Sequence, residues 1–365
     1  VQAEVPYVVI VEEVDEAGRF HDEGVQVMVG ALDDPATYRN ARVEQAAMVV
    51  ATRNDPTNTN IAFTVREIAP GVEVLASANS PAAVDILEIA GADHVVQLGE
   101  ILGGAMAART LGLGGTSHVI GEFAGLKIAE AGVVGTQMVG RTPGELALRS
   151  RLGVGIIGVW QRGEFSIAMA DTVLGDTSML LLAGTADQLA AFDAEYAVGR
   201  VEARHAMIIG GGRVGRAIGA AFDAEGVTFT IVEQLAERRR DGVSYVIGDA
   251  ADREVLDAAG LAEASAVLIT THDDDVNVYL TRYCRGLRPD VRIVSRARLD
   301  RNVTTLYRAG ADAVLSYAGT GSAAIWNQFR GDETLLVAQG LNVFRTPIPK
   351  ELVGSSLAEA HVHRR

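Results

Sequence analysis

The chain contains the same strand-and-helix pattern twice, and only the second copy has a glycine-rich loop at its start. In that copy the apolar run 207–209 leads directly into G-x-G-x-x-G at 210–215. The first copy starts at the counterpart of the second strand, residues 7–12. Matching segments recur at a nearly constant offset of about 220 residues: 3–4 with 224–225, 11–12 with 232–233, Gly30 with Gly248, Thr52 with Thr271, Asp55 with Asp274, Asn58 with Asn277, and 90–93 with 309–312. The two copies therefore share one fold, and we expect the chain to be a piece of a longer protein whose first copy begins upstream.

The spacing of apolar segments predicts the fold class. Short Val- and Ala-rich strands alternate with helical patterns in the first copy, which indicates a parallel sheet. The strands are predicted at 25–29, 47–51, 72–76 and 94–98, and the helices at 56–67, 81–89 and 100–111. Residues 119–199 have a different pattern, with helices predicted at 142–151 and 185–192 and strands at 156–161 and 179–183. The sequence therefore predicts an α/β protein with two Rossmann-like, doubly wound parallel sheets, each followed by a small α+β subdomain.

These patterns divide the chain into four parts. We expect a first Rossmann-like domain at 1–118 that lacks its first strand and glycine loop, and a small module at 119–199. A second Rossmann-like domain is expected at 200–340. Residues 341–365 would begin a second small subdomain, because 348–360 is similar to 139–148.

Composition excludes several classes of protein. The formal net charge of −15 disfavours nucleic-acid binding, which needs a basic surface. Every apolar stretch is interrupted well before the roughly 20 residues that a membrane-spanning helix needs. The chain has a single cysteine, Cys284, which excludes an internal disulfide and fits a reducing compartment. We expect Cys284 to lie on a helix, with its side chain in the protein core.

The glycine loop predicts a phosphate-binding site. Gly210 would let the strand turn tightly, Gly212 would let a pyrophosphate approach the backbone, and Gly215 would let the helix pack closely on the strand. Arg213 and Val214 begin that helix, whose N-terminal amides would point at the phosphate. The loop follows an apolar strand, and this context makes the motif more specific than the glycines alone.

Further candidate contacts follow the ends of the next strands. Glu233 ends the second strand, where a carboxylate accepts hydrogen bonds from ribose hydroxyls and repels a 2′-phosphate. This favours NAD(H), ATP, ADP or AMP over NADP. The other candidates are Asp249 and Ala250 after the third strand, Thr271 after the fourth, and Arg296 at the end of the fifth. We expect Asp252 and either Asp274 or Asp275 to act as helix caps instead.

The first copy differs at these positions, since Ala31 replaces the aspartate and Ser77 replaces the arginine. These changes put nucleotide binding there in doubt. An acidic stretch in the first copy offers a possible site for Ca²⁺ or another divalent cation, with a solvated acidic face as the alternative; it consists of Glu12, Glu13, Asp15 and Glu16.

The motifs resemble those of the RCK family, also called KTN or TrkA-N. They are I-I-G-G-G-R-V-G at 208–215, I-V-E at 231–233, G-D-A at 248–250, T-T-H-D-D-D-V-N at 270–277 and A-G-A-D at 309–312. The module around V-G-R-T-P-G-E-L at 139–146 looks like the RCK C-terminal subdomain, TrkA-C. The resemblance implies a tandem pair of RCK units that regulates potassium flux through a bacterial channel. It carries the ligand contacts over to Gly210, Gly212, Gly215, Glu233, Asp249 and Arg296.

The same resemblance implies an assembly. Four subunits would form an eight-unit ring at the cytoplasmic face of the cell membrane, below a membrane pore domain that lies upstream in the full-length protein. Nucleotide or cation binding would control opening. The helix at 100–111 and its counterpart at 321–329 are candidate elements of the interface between paired units, with ordinary core packing as the alternative.

Two other functions remain open at the level of sequence. A stand-alone regulatory subunit of a potassium transporter would have the same domain order. An NAD-dependent oxidoreductase is disfavoured, because no general acid or base can be assigned beside a nicotinamide. We therefore expect a regulatory protein rather than an enzyme.

Overall fold

A computed structural model describes residues 5–112, 115–123, 125–161, 164–175, 178–197, 205–330, 334–338 and 341–344. Within these ranges no helix has the length and apolar character needed to cross a membrane. A second small subdomain was expected to begin at 341–365. Residues 345–365, which include the segment 348–360, lie outside the described residues.

The first Rossmann-like domain forms two parallel sheets. Its strands are β1 (Val9–Val11), β2 (Val27–Val29), β3 (Met48–Ala51), β4 (Glu73–Ser77) and β5 (His94–Val96). Its helices are α1 (Val14–Asp22), α2 (Pro35–Asn40), α3 (Asp55–Ile68), α4 (Ala82–Ile89) and α5 (Leu98–Gly112). Strand β1 pairs with β2, and β3 pairs with β4, which pairs with β5. Val74, Leu75 and Ala76 are buried in the central strand of the larger sheet, so a nearly continuous apolar run forms a strand covered on both faces.

The small module is built on an antiparallel sheet with strand order β6-β7-β10-β8-β9. Its elements are β6 (His118–Phe123), β7 (Leu126–Gly132), α6 (Pro143–Leu146), α7 (Leu148–Leu152), β8 (Gly155–Gln161), β9 (Glu164–Ile167), β10 (Met179–Gly184) and α8 (Ala186–Tyr196). The predicted strands at 156–161 and 179–183 are confirmed, whereas β6, β7 and β9 were not predicted.

The single helix predicted at 142–151 is wrong, because the chain forms two short helices there. Thr142 caps α6 in a capping box with Glu145, and Pro143 takes the first helical position. Ala147 then takes the left-handed conformation, with φ of 48°, which ends α6 and begins α7. A non-glycine residue in this conformation is uncommon, so apolar periodicity alone did not indicate the break.

The second Rossmann-like domain forms one six-stranded parallel sheet of order β13-β12-β11-β14-β15-β16. Its elements are β11 (Ala206–Ile209), α9 (Arg213–Ala224), β12 (Phe229–Glu233), β13 (Tyr245–Ile247), α10 (Arg253–Ala258), β14 (Ala266–Ile269), α11 (Asp274–Leu287), β15 (Arg292–Ala297), α12 (Val303–Ala309), β16 (Ala313–Ser316) and α13 (Tyr317–Arg330). A hairpin of β17 (Thr334–Ala338) and β18 (Leu341–Phe344) follows. Cys284 is fully buried in α11, as expected. The fold class predicted from the sequence is confirmed, and the boundaries at 118, 199 and 340 remain our proposal.

Matching hydrogen bonds support the repeat. Arg66 on α3 donates from Nη2 to the Gly91 carbonyl oxygen at 2.6 Å and pairs with Asp93 at 2.6 Å. Arg285 on α11 donates from Nη2 to the Gly310 carbonyl oxygen at 2.9 Å and pairs with Asp312 at 2.7 Å. In both copies this arginine links the end of a helix to the loop before the last strand.

The first and second Rossmann-like domains contact each other through α5 and α9. Leu102 and Met106 on α5 are fully buried in the same apolar cluster as Ile218 and Phe222 on α9. Gly103 is the point of closest approach, because an added Cβ would lie 2.4 Å from the Cβ of Ala217. The last helix of the first Rossmann-like domain therefore packs directly on the helix that follows the glycine loop of the second.

Candidate functional site

The glycine loop lies at the carboxyl edge of the second sheet, where the strand order reverses. Strand β11 has β12 on one side and β14 on the other, so a crevice opens at its end. Gly210 has φ of +106°, which turns the chain sharply out of β11. At Gly215 an added Cβ would lie 1.9 Å from the Gly210 carbonyl oxygen, so only glycine lets α9 begin this close to the strand. Around Gly212 an added Cβ would meet nothing within 4 Å, which leaves the N-terminus of α9 open to the crevice.

The Glu233 carboxylate binds the backbone of the glycine loop. Its side chain is buried with 5% exposure. Its Oε2 accepts a hydrogen bond from the Gly211 amide at 2.9 Å, and its Oε1 accepts one from the Leu235 amide at 3.0 Å. Arg238 Nη1 lies 3.5 Å from Oε2. The carboxylate predicted to bind ribose thus also holds the loop, and its position at the end of β12 is as expected.

Asp249 and Ala250 follow β13. Asp249 is exposed, and its Oδ1 accepts a hydrogen bond from the Ala251 amide at 2.8 Å. The side chain of Ala250 is buried in the apolar core, so a ligand contact from Ala250 would have to come from its backbone. Asp252 caps α10 by accepting from the Glu254 amide at 2.9 Å, which confirms its predicted role.

The loop after β14 contains Thr271 and a correction to the predicted cap. Asp273, rather than Asp274 or Asp275, caps α11, since its Oδ1 accepts from the Asp275 amide at 2.9 Å. Asp274 instead accepts from the Arg298 amide at 2.6 Å and so positions the loop after β15. Three aspartates in a row give the same sequence signal, and the contact of Asp274 with the loop after β15 is visible only in the folded chain.

Thr271 belongs to a buried polar network. Its Oγ1 lies 2.6 Å from Oδ1 of Asn277, which is fully buried. The Asn277 amide group donates to the carbonyl oxygens of Thr271 and Arg296 at 3.1 and 3.0 Å. The network holds the ends of β14 and β15 together at the crevice.

Arg296 lies within β15 rather than at its end, and its guanidinium carbon is 4.6 Å from the centroid of the Tyr317 ring. Its Nε is buried without a hydrogen-bond partner among the described residues, and its Nη1 is 3.5 Å from the Thr270 carbonyl oxygen. Burial lowers the pKa of the Arg296 guanidinium, the Tyr317 and Asp274 side chains raise it, and the positive charges of Arg213 and Arg298 lower it. Three arginines, Arg213, Arg296 and Arg298, are thus close enough to influence one another beside the carboxylate of Asp274.

The structure brings most of the predicted contacts to one edge of the sheet. Glu233 ends β12, Arg296 is the last residue but one of β15, and the other contacts follow neighbouring strands there: the glycine loop with Arg213, Asp249 and Thr271. The equivalent of Arg296 in the first domain, Ser77, is buried and receives a hydrogen bond from Asn58 on its carbonyl oxygen at 2.7 Å.

The acidic stretch of the first domain does not form a metal cluster. Glu16 pairs with Arg53 at 3.1 Å, and Glu13 takes the N-cap position of α1. Over the residues that the structure describes, no group of three or more His, Cys, Asp and Glu side chains is arranged to hold a metal ion.

Several residues of the crevice were not predicted from the sequence. The Gly211 amide is held by Glu233, and Thr270 Oγ1 donates to the Gly210 carbonyl oxygen at 2.9 Å. Tyr317 stacks on Arg296. An aromatic residue directly after the last strand was the signal for Tyr317, but nothing in the sequence paired it with an arginine on another strand.

Comparison with known proteins decides the family. The model of the TrkA-N domain matches residues 1–98 and 206–317, more than half of the chain. The chain belongs to the TrkA-N domain family. The match covers both Rossmann-like domains, which confirms the predicted resemblance and its tandem arrangement.

Solved structures match this TrkA-N protein over nearly its whole length. The GsuK channel is 36% identical with a TM-score of 0.78, and the match covers 99% of this chain and 66% of that chain. The GsuK channel bound to NAD is 36% identical with a TM-score of 0.77, covering 98% and 65%. The crystal structure of the GsuK RCK domain is 35% identical with a TM-score of 0.77, covering 98% and 78%.

Curated relatives match over a single domain. A probable potassium channel protein 2 of Methanocaldococcus jannaschii is 32% identical over 119 residues, which is 31% of this chain and 35% of the relative. A putative cation/proton antiporter, YbaL of Escherichia coli, is 30% identical over 115 residues, which is 30% of this chain and 21% of the relative. The matched part spans about a third or less of each of these relatives.

Proposed function

We propose that this chain is a ligand-sensing regulatory module that controls potassium flux through a channel. In this proposal NAD(H) or an adenine nucleotide binds the second Rossmann-like domain. The observation that carries the proposal is the glycine loop at the switch point of the six-stranded sheet, with open space beyond Gly212. The proposal is supported by the similarity to the GsuK channel bound to NAD, a match that covers 98% of this chain.

The residues present fit such a ligand. The open side of Gly212 lets a pyrophosphate approach the N-terminus of α9, where amide groups and the helix dipole favour negative charge. Arg213 and Arg296 would neutralise phosphate charge. Glu233 would accept hydrogen bonds from ribose hydroxyls while it holds the loop, and Asp249 and Thr271 would line the crevice beside it.

The ligand would act through binding energy rather than chemistry. It controls gating only to the extent that it binds the open and closed assemblies with different affinity. The packing of α5 on α9 gives this binding a physical route, because α9 begins at the glycine loop and α5 belongs to the other unit. We propose on this basis that the chain is not an enzyme.

The assembly and location are part of the same proposal. Four subunits would form an eight-unit ring beneath a membrane pore domain, at the cytoplasmic face of the cell membrane. A divalent cation such as Ca²⁺ remains a second possible regulatory ligand. A stand-alone regulatory subunit of a transporter is the alternative, because the relatives include a Trk system potassium uptake protein TrkA homolog of Pyrococcus horikoshii, 30% identical over 95 residues.

Calorimetric titration with NAD⁺, NADH, ATP, ADP and AMP tests the ligand. Gly212→Asp places a carboxylate in the open space beside the helix N-terminus, so we expect binding to disappear while the fold survives. Gly286→Asp is the matched control, since this exposed glycine on α11 also has nothing within 4 Å of an added Cβ. Binding by the unchanged chain and by the control, but not by Gly212→Asp, supports the site.

Equal binding by both variants, or no binding by the unchanged chain, would refute the proposed site. Steady oxidation of NADH by the purified chain would instead favour the oxidoreductase. Preferential binding of one of the five nucleotides would name the signal.

A further inference from the structure

The crevice contains an arginine stacked on an aromatic ring, and the proposed function gives the aromatic residue no role. Tyr317 is the first residue of α13, and its ring lies under the Arg296 guanidinium at 4.6 Å. A guanidinium over an aromatic ring is attracted to the negative face of the ring. The contact joins the fifth strand of the sheet to the start of the last helix.

Arg296 forms no direct salt bridge in the part of the chain that the structure describes, although the Asp274 carboxylate is near enough to favour its charge. Its buried Nε has no hydrogen-bond partner among those residues. Arg213 and Arg298 are close enough to disfavour its charge and act against the effect of Asp274. A partly buried cation without a directly bonded carboxylate is costly, and the aromatic ring compensates only part of that cost. The remaining hydrogen-bonding capacity suits an anionic group in the crevice.

The first domain provides an internal comparison. By the repeat offset, Ser77 stands where the second domain has Arg296, and Leu98 stands where it has Tyr317. Both members of the pair are therefore replaced together in the copy whose nucleotide contacts are degraded. Leucine fills a core position as well as tyrosine does, so packing alone does not explain the aromatic residue.

Helix α13 leads from this pair to the first domain. Gly321 faces Leu98 at the start of α5, since an added Cβ would lie 3.3 Å from Leu98 Cδ1. Further along, Gln328 Nε2 lies 3.0 Å from Nδ1 of His94 on β5. One end of α13 thus touches the crevice, while its other end touches the sheet of the other unit.

We propose that Tyr317 is a positioning residue that holds Arg296 toward the anionic group of the bound nucleotide and couples occupancy of the crevice to α13. This inference rests on the proposed function. An anion that draws the guanidinium toward the crevice changes its stacking on Tyr317, and the start of α13 responds. The phosphates of a nucleotide are the chemical class that this cation recognises.

Two substitutions separate the ring from its hydroxyl. Tyr317→Phe keeps the aromatic face, and Tyr317→Leu introduces the residue that the first domain has at this position. Trp326 on α13 serves as a fluorescent reporter when Trp160→Phe removes the other tryptophan of the chain. The probes are ADP and NAD⁺, each titrated to saturation.

We expect Tyr317→Phe to bind ADP as the unchanged chain does, with the same change in Trp326 emission. We expect Tyr317→Leu to bind roughly 2- to 30-fold more weakly, from the ~0.5–2 kcal/mol of a cation–π contact. In Tyr317→Leu, the change in Trp326 emission that saturating ADP causes should be largely lost. A purely structural role would lower thermal stability without removing the response of Trp326 to saturating ligand.

The outcomes distinguish this inference from the proposed function. If the unchanged chain binds neither ADP nor NAD⁺, the proposed function fails and the inference fails with it. If the unchanged chain binds and Tyr317→Leu shows the same affinity and the same Trp326 response, only the inference is overturned. Should Tyr317→Leu fail to fold, Arg296→Gln decides, because a retained Trp326 response to saturating ligand in that variant would also overturn the coupling.

Discussion

The contact between α5 and α9 makes a sharp prediction about two adjacent glycines. Gly103 faces α9, where an added Cβ would lie 2.4 Å from Ala217 Cβ and 2.9 Å from the Val214 carbonyl oxygen. Gly104, the next residue on the same helix, has nothing within 4 Å of an added Cβ. Gly103→Ala and Gly104→Ala therefore make the same chemical change on one helix in two different environments.

The expected magnitude follows from these distances. Alanine in place of glycine within a helix stabilises by up to about 1 kcal/mol, and both variants gain this term. At Gly103 the helices must separate by about 1 Å to restore ordinary contact, and overpacking of this kind costs about 1–3 kcal/mol. We therefore expect Gly103→Ala to be less stable than Gly104→Ala by about 1–3 kcal/mol, with Gly104→Ala equal to or above the unchanged chain.

Thermal unfolding followed by circular dichroism measures the difference. A change of 1 kcal/mol shifts the Tm of a domain of this size by about 2–4 °C, so the two variants should differ by at least about 2 °C. The comparison of the two variants cancels the helix-propensity term. Equal Tm values, or a higher Tm for Gly103→Ala, would show that α5 does not pack on α9 at this distance.

Three further predictions concern two buried groups, the Arg109–Glu130 pair and Cys284. Glu130→Gln leaves the Arg109 guanidinium buried without its carboxylate, since the two side chains are only 16% and 11% exposed, and should cost about 3–5 kcal/mol in urea unfolding. Glu122→Gln, which removes the exposed partner of Lys127, should cost less than about 1 kcal/mol, and equal losses would contradict the reasoning. Burial raises the pKa of the Cys284 thiol to about 12, so a thiol reagent at pH 8 should label Cys284 only after denaturation. Because the unfolded thiol ionises near pH 9 while the folded one stays protonated, stability should also fall as pH rises from about 9 toward 12, and a Cys284→Ala variant should lack this component.

The repeat and the identity of the second domain could be read from the sequence, because both depend on local chemistry. Short apolar runs bounded by turns favour buried strands, and Glu233 ends the second strand of the second domain, β12, as the sequence predicts. Gly210 and Gly215 were assigned their geometric roles correctly, since only glycine allows the turn and the close approach that the structure shows.

Other features depended on how distant segments meet. Asp273 rather than its neighbours caps α11, because Asp274 is taken by the loop after β15. Ala147 splits a helix that periodicity predicted to be continuous. Each of these two features depends on contacts with residues distant in the sequence or on the backbone direction in the folded chain. A local sequence pattern therefore does not predict them.

The sequence by itself determined the α/β class, the tandem repeat and the geometry of the glycine loop, because strand patterns and glycine geometry act over a few neighbouring residues. Only the tertiary structure decided that α5 packs on α9 and that Arg296 stacks on Tyr317 without a directly bonded carboxylate among the described residues. These arrangements join residues from separate strands and separate units. Their energies depend on distance and burial in the folded chain, and neither quantity is encoded in a short stretch of sequence.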